Sequence, residues 1–267
     1  MLGASVNIPG KLDVLSTPWS PSKIKDLLWC AQQYWYSMNS EYVPVLPPPP
    51  ILEQGSYAHE WAEAYLKNKP FPPVDNGQIR KYRLTPEELK EISDLIVSFK
   101  TFLDDLPKLI TPIIGEYEGF SEGSFAIDNK LRPTHMKNRH RFFGGKIDYY
   151  ALSKTDGLRD AIIIDYKATQ QTKLDPLDHE LQLHTYSFLL SKYFPLRKFA
   201  VGIYYVKQQK FEWLLSEGTI LNPYDEAKVV ALLRSYMTRA KEAASKPDLR
   251  NRGPRCESCK YKTLCLP

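Results

Sequence analysis

No window of the 267-residue chain approaches the roughly 20 consecutive apolar residues a membrane span requires. Met1 to Lys11 hold no apolar run after a basic stretch, so no export signal is expected and the protein is placed in the cytoplasm, away from membranes. No Gly-x-x-x-x-Gly-Lys-Ser/Thr loop is present, which excludes a nucleotide-driven motor of that type. Repeats are absent, and the one biased segment is a run of prolines. Cysteine is scarce. Four residues would allow two disulfides in a secreted protein, but Cys256, Cys259 and Cys265 crowd one end while Cys30 stands alone, and in a reducing compartment such a cluster holds metal more often than disulfides. What remains is of ordinary globular composition, 43% hydrophobic and 25% charged, enough to bury a sizeable core. The net charge of +5 suits a polyanionic partner, although many proteins that never meet one share it.

The pattern falls into three stretches of one domain spanning 1–267: a helical region over 20–110, a sheet core over 111–215, and a C-terminal helix with the cysteines over 216–267. Ser20 to Met38 opens with Ser and Pro at an N-cap and first turn and repeats apolar residues at helical spacing, predicting a helix that carries Cys30. Val43 to Pro50, rich in proline, is an extended connection. Gly55 to Leu66 reads as a second helix holding His59. Thr85 to Leu106 reads as a third, with Pro86 at its first position and Glu87 and Glu88 in its first turn. From about Ile113, runs of Ile, Phe and Tyr between Gly, Asp, Asn and Ser read as strands. Phe142 to Leu152 and Ala161 to Ala168 flank a turn and form neighbouring antiparallel strands. Pro176 to Phe194 is helical, Phe199 to Val206 and Phe211 to Leu215 return to strand, and Tyr224 to Ser245 is a long helix.

The apolar run Ile162-Ile-Ile reads as buried strand, yet it ends in Asp165-Tyr166-Lys167, and buried charge is expensive. Side chains alternate along a strand, so Asp165 and Lys167 share a face and Tyr166 points away. On the preceding strand, Gly144-Gly-Lys-Ile-Asp148 ends a similar run in a second carboxylate, which the hairpin can bring beside Asp165. Converging carboxylates suit a hard divalent cation. Phosphodiester hydrolysis needs such a cation, to polarise the phosphoryl oxygen and lower the pKa of water, and a neighbouring group to orient the nucleophile, here Lys167. An isolated Asp-x-Lys is most often a surface salt bridge. Its weight here comes from company. Gln182 and Tyr186, four apart, share one face of the following helix, a spacing that serves ordinary packing equally well. His59 is a further ligand candidate in a position where surface or capping histidines are common. Spacing alone leaves Cys256-x-x-Cys259 and Cys265 balanced between zinc and an iron-sulfur cluster. Either would close a loop of more than two hundred residues with Cys30 and act as a structural clamp.

His59 in Gly55-Ser-Tyr-Ala-His-Glu, Asp148 in Gly145-Lys-Ile-Asp, Asp165-Tyr166-Lys167 and Gln182-x-x-x-Tyr186 together resemble, in order and spacing, the motifs of the RecB-like branch of the PD-(D/E)XK nucleases. The cysteines resemble those of the subset that includes CRISPR-associated RecB-like exonucleases, in which one early and three late cysteines hold a four-iron four-sulfur (4Fe-4S) cluster. The likeness runs from about Ser20 to Cys265. One departure is Ala31, where many relatives have Pro after the first cysteine. The resemblance implies an α/β fold with a PD-(D/E)XK restriction-endonuclease-like core, a central mixed sheet flanked by helices, an N-terminal helical region and a C-terminal iron-sulfur tail. It implies a magnesium or manganese ion held by His59, Asp148 and Asp165 with the Tyr166 carbonyl, water activation by Lys167, positioning by Gln182 and Tyr186, and a cluster held by Cys30, Cys256, Cys259 and Cys265. The family's upstream glutamate is open between Glu116, Glu118 and Glu122.

The function expected on this basis is a DNA exonuclease acting on single strands or frayed ends, in recombination, repair or end processing in a prokaryote or virus. A helicase would supply any unwinding. Two alternatives stand beside it. One is a nuclease that trims DNA for CRISPR spacer acquisition in an integrase complex. The other is an idle iron-sulfur DNA-binding assembly factor, against which the complete Asp148, Asp165 and Lys167 set argues.

Overall fold

The computed structural model describes residues 18–38, 59–70, 85–167, 176–214, 219–245, 256, 259 and 261–265. Its elements are α1 (Pro21–Met38), α2 (59–66), α3 (Pro86–Ile114), β1 (Tyr117–Asp128), β2 (Pro133–Thr134), β3 (Arg141–Ser153), β4 (Arg159–Lys167), α4 (Pro176–Ser191), β5 (Leu196–Tyr205), β6 (Lys210–Leu214), β7 (Asn222–Pro223), α5 (Glu226–Ser245) and α6 (Lys262–Cys265). The chain divides into two compact units, Pro48–Val230 and Met1–Pro47 with Ala231–Pro267. Val43 to Pro50 and residues 55–58, an extended run and a helix start by sequence, lie outside the described residues. No helix among the described residues is long and apolar enough to cross a membrane.

The larger unit is built on a seven-stranded sheet of order β2-β1-β3-β4-β5-β6, with β7 on β5. Every pairing is antiparallel except β4 with β5, which run parallel across the α4 crossover. The sheet is therefore mixed, as expected. β4 reads as a nearly continuous apolar run because both of its faces are covered. On one face Tyr149, Ala151, Ile162, Ile164, Tyr166, Ala200 and Tyr204 pack with Phe99, Phe102, Leu103, Leu106, Ile110 and Ile114 of α3 and Trp61 of α2. The opposite face, which alternation gives to Asp165 and Ile203, meets α4, which lies against β1, β3 and β5. At the start of the parallel pair Arg197 grips Asp160 with two bonds, Nε at 2.9 Å and Nη2 at 2.6 Å. Gly202 has no side chain because one would meet the Phe211 ring, 2.3 Å from where its Cβ would stand.

Several element ends differ from the sequence reading: β5 starts at Leu196 rather than Phe199 and α5 at Glu226 rather than Tyr224. α3 does not stop at Leu106 but runs through Pro107 and Pro112 to Ile114. Leu106, Ile110 and Ile114 are buried against the sheet, and at about 1.5–3 kcal/mol each their burial offsets the roughly 3 kcal/mol a proline costs inside a helix. The sheet consequently begins at Tyr117 rather than near Ile113. α4 ends at Ser191, and the amides of 192–194 close a turn onto the carbonyls of Leu189 and Leu190.

In the smaller unit Ser20 caps α1, its Oγ accepting from Lys23 N at 3.1 Å, with Pro21 at the first helical position. The helix buries Ile24, Leu27, Ala31, Tyr34 and Trp35 and breaks at Cys30, whose backbone is extended (φ −161°, ψ 102°). Trp35 and Tyr36 pack with Tyr261, and Cys259 and Cys265 lie against this aromatic cluster.

Candidate metal centre and active site

The pairing that places Tyr149 opposite Ile164 puts Asp148 and Asp165 one residue further along β3 and β4, on adjoining strands. Asp148 Oδ2 accepts a hydrogen bond from Tyr166 N at 2.8 Å, which fixes its carboxylate across the end of β4. On the other side β1 pairs Ser121 with Tyr149 and Gly123 with Ile147, so Glu122 stands across from Asp148. Glu122 takes a left-handed backbone (φ +57°), a conformation costing on the order of 1–3 kcal/mol for a residue with a side chain. Its neighbour Gly123 lacks a Cβ where one would stand 2.5 Å from the Tyr150 ring. Such a conformation persists only where the surrounding structure over-determines it.

His59, at the start of α2 among the described residues, completes the group. Its Nδ1 lies 3.2 Å from Asp148 Oδ1 and 3.9 Å from Glu122 Oε1. One donor atom each from His59, Glu122 and Asp148 falls within a 4.8 Å sphere of mutual distance. Asp165 lies outside this group. Its Oδ2 is 2.8 Å from Lys167 Nζ and its Oδ1 accepts from Gln182 Nε2 at 3.5 Å. Tyr186, one turn further along α4, is buried, with Asp165 and Gln182 beside its hydroxyl. Tyr166 contributes its backbone here, while its ring turns into the core against Phe99.

Glu122 and Asp165 are almost wholly buried, their side chains 4% and 6% exposed, and burial raises the pKa of both carboxyls. Lys146, ion-paired with Glu122, and Lys167 oppose that rise, and the Asp148 charge adds to it. Burial works against protonation of His59. The hydrogen bond and charge of Asp148, joined by the charges of Asp165 and Glu122, override it and hold the imidazole pKa above its ordinary value. Burial, with the charges of Asp165 and Asp148, drives the Tyr186 phenol far above its usual range, so it remains a proton donor. Lys146 and Lys167 are therefore the cations that hold these two buried carboxylates, Lys167 Nζ at 2.8 Å from Asp165 Oδ2. Buried acidic oxygens of this kind, beside an imidazole, fit a hard divalent cation.

Of the residues singled out by sequence, the fold thus gathers His59, Asp148, Asp165, Lys167, Gln182 and Tyr186 at one end of the sheet. Glu122 is the glutamate that geometry selects from three. Glu118 stands opposite Leu152, further along β1, and faces Arg159 at 3.7 Å, while the Glu116 carbonyl accepts from Lys154. Lys146 escaped the sequence reading. The signal was present in Gly145-Lys-Ile-Asp, where Lys146 and Asp148 are two apart and share a strand face.

The profile of the PD-(D/E)XK nuclease superfamily matches residues 18–266. The chain belongs to this superfamily. Among solved structures, the crystal structure of SSO0001 is 16% identical, with a TM-score of 0.40, over 91% of this chain and 84% of that one. No curated protein matches. As a PD-(D/E)XK protein the chain is a nuclease, of a family that uses divalent metal and binds DNA, and the His59, Glu122 and Asp148 group supplies ligands of the required chemistry.

Proposed function

We propose that this PD-(D/E)XK nuclease is a RecB-like DNA exonuclease that hydrolyses phosphodiesters at single-stranded or frayed ends, with a partner helicase supplying any unwinding. The observation that carries the reading is the convergence of a His-Glu-Asp group with the Asp165–Lys167 pair where β4 ends. His59, Glu122 and Asp148 would hold a magnesium or manganese ion, with Asp165 and the Tyr166 carbonyl beside them. Bound there, the ion supplies Lewis-acid polarisation of a phosphoryl oxygen and a lowered pKa for water. Lys167, held by Asp165, presents an ammonium that orients water by donating to it. Gln182 fixes Asp165 from α4, and Tyr186 keeps its proton beside that carboxylate. The test is digestion of end-labelled linear DNA and of circular single strands with manganese or magnesium. Linear substrates should shorten and circles survive, and activity should vanish with chelator and in Lys167→Ala. Cleavage that survives both controls, or that opens circles equally well, overturns the reading.

The cysteines belong to the same proposal, as ligands of a 4Fe-4S cluster. Cys30 stands at the break in α1, and Cys259 and Cys265 lie against the cluster of Trp35, Tyr36 and Tyr261. Thiolates suit zinc as well as an iron-sulfur cluster, so metal content and colour are what separate the two. Anaerobically purified protein should be brown and Cys30→Ala colourless and less stable. Colourless wild type containing stoichiometric zinc would reject the cluster.

A further inference from the structure

Some exposed cations of the larger unit sit beside a carboxylate, as Lys67 does with Glu63, Lys100 with Asp104, Lys108 with Asp105 and Arg197 with Asp160, while others such as Lys154 and Lys198 stand singly along the chain. The end of the β1–β3 hairpin instead gathers its cations in one place. Over residues 128–141 stand Lys130, Arg132, Lys137, Arg139 and Arg141 against the one acid Asp128, a balance of +4 where the entire chain carries +5. Asp128 is spent on Arg132, at 2.7 Å. Among the described residues no carboxylate pairs with Lys130, Lys137, Arg139 or Arg141, and the first three are exposed. His135 and His140 add exposed imidazoles. Gathering like charges on one tip opposes folding. The tip is nevertheless firmly built. Asp128 Oδ1 accepts from Lys130 N and Arg132 N at 2.8 and 3.0 Å, and Asn138 bonds Thr134. The Tyr193 hydroxyl lies 2.8 Å from the carbonyls of both Ala126 and Thr134, tying the hairpin to the end of α4. A rigid concentration of unpaired cations is a preformed receptor for a polyanion.

β1 and β3 are the strands that carry Glu122 and Asp148, six and seven residues from Asp128 and Arg141. At about 3.4 Å per residue the base of the tip stands about 20–24 Å along the strands from the metal centre, with the cations at and beyond it. At 3.4 Å per stacked nucleotide this is a span of about seven nucleotides. Resting on the nuclease reading above, we infer that the 128–141 tip is a secondary phosphate-binding site. It holds the backbone of the strand under cleavage roughly seven nucleotides from the scissile bond, through Lys130, Lys137 and Arg139. Charge and reach choose DNA backbone over an acidic peptide, since the tip belongs to the same hairpin as the reaction centre. It fixes length preference and processivity but no sequence.

The experiment compares wild type with K130Q/K137Q/R139Q, whose exposed side chains leave the fold and the catalytic residues untouched, as a matching melting curve will verify. Binding of labelled strands of 4, 8, 12 and 20 nucleotides is measured in calcium by fluorescence anisotropy across a salt series. Cleavage is measured in manganese. Wild-type affinity should step up between 4 and 12 nucleotides, and the variant should lose that step. Its log–log salt slope should flatten by about 2, at roughly 0.7 per lost single-strand contact. Cleavage of the 4-nucleotide substrate should be equal in both. A variant with an unchanged slope and length step overturns the hairpin assignment while leaving the nuclease reading intact. Wild type that neither binds nor cuts DNA overturns both.

Discussion

Asp148→Asn should lower the cleavage rate on the order of 10³-fold, equivalent to about 4 kcal/mol of barrier, while leaving the fold in place. Asparagine has the same shape and keeps a carbonyl oxygen to accept from Tyr166 N, so the 2.8 Å bond that seats the side chain survives. The negative charge is what disappears, from the residue that links His59 to Glu122 and faces Asp165 across the strands. Two further readouts separate a ligand from a structural residue. In wild type, Asp148 is the principal influence that raises the His59 pKa against its burial, and an imidazole must shed its proton to bind a cation. Manganese affinity of wild type should therefore keep rising with pH beyond the ordinary histidine value near 6.5. In the variant that proton leaves more readily, and the residual affinity should level off at lower pH. Stability moves the other way. Without added cation, removing one of three mutually repelling carboxylates should leave the melting temperature equal or higher, and manganese should then stabilise wild type more than the variant. Cleavage within tenfold of wild type, with an unshifted pH profile for manganese binding, would remove Asp148 from the site.

How much of this centre could be read in advance depends on whether local pattern or tertiary position decided each residue. The carboxylate at the end of Ile162-Ile-Ile announced itself because a buried strand has no other reason to end in charge, and the β3–β4 hairpin followed from the turn-rich stretch between two β-rich runs. Gln182 was legible as helix spacing, but that Asp165 lies within its reach depends on the α4 crossover, which no local pattern encodes. Glu122 could not be chosen over Glu116 and Glu118 because the choice is made by register against β3 and by a left-handed kink, neither of which is written in neighbouring residues. The same holds for the grouping of ligands. Sequence put Asp165 among them on equal terms, whereas in the fold Lys167 and Gln182 claim its carboxylate and Glu122 stands with His59 and Asp148. Proline misled the reading of α3, since a rule about isolated helices yields to a buried apolar stripe.

The largest effect on stability is expected at Phe99, in the apolar core. Its ring is fully buried where α2, α3 and the sheet meet, edge-on to Tyr166 with centroids 4.9 Å apart, stacked on Tyr204 at 5.3 Å and tilted on Trp61 at 6.2 Å. Phe99→Ala removes a side chain of the class whose truncation costs about 3–5 kcal/mol, through lost transfer and a cavity that surrounding rings cannot fill. Set against a total of roughly 5–15 kcal/mol, that is a large share. The melting temperature should fall by about 6–20 °C, at roughly 2–4 °C per kcal/mol for a unit of this size. The loss should also reach the metal centre, by two routes that start at Phe99. Trp61 lies on α2 together with His59, and Tyr166 carries both the ring against Phe99 and the backbone amide that seats Asp148. Below its melting temperature, Phe99→Ala should therefore bind manganese up to tenfold more weakly than wild type, with Phe99→Leu intermediate in both stability and affinity. Val97, on the same helix and 67% exposed, supplies the contrast: Val97→Ala should change neither quantity. Differential scanning calorimetry and manganese titration of the three variants decide the matter. A Phe99→Ala protein that melts within about 2 °C of wild type would mean that α3 does not pack on the catalytic sheet through this ring.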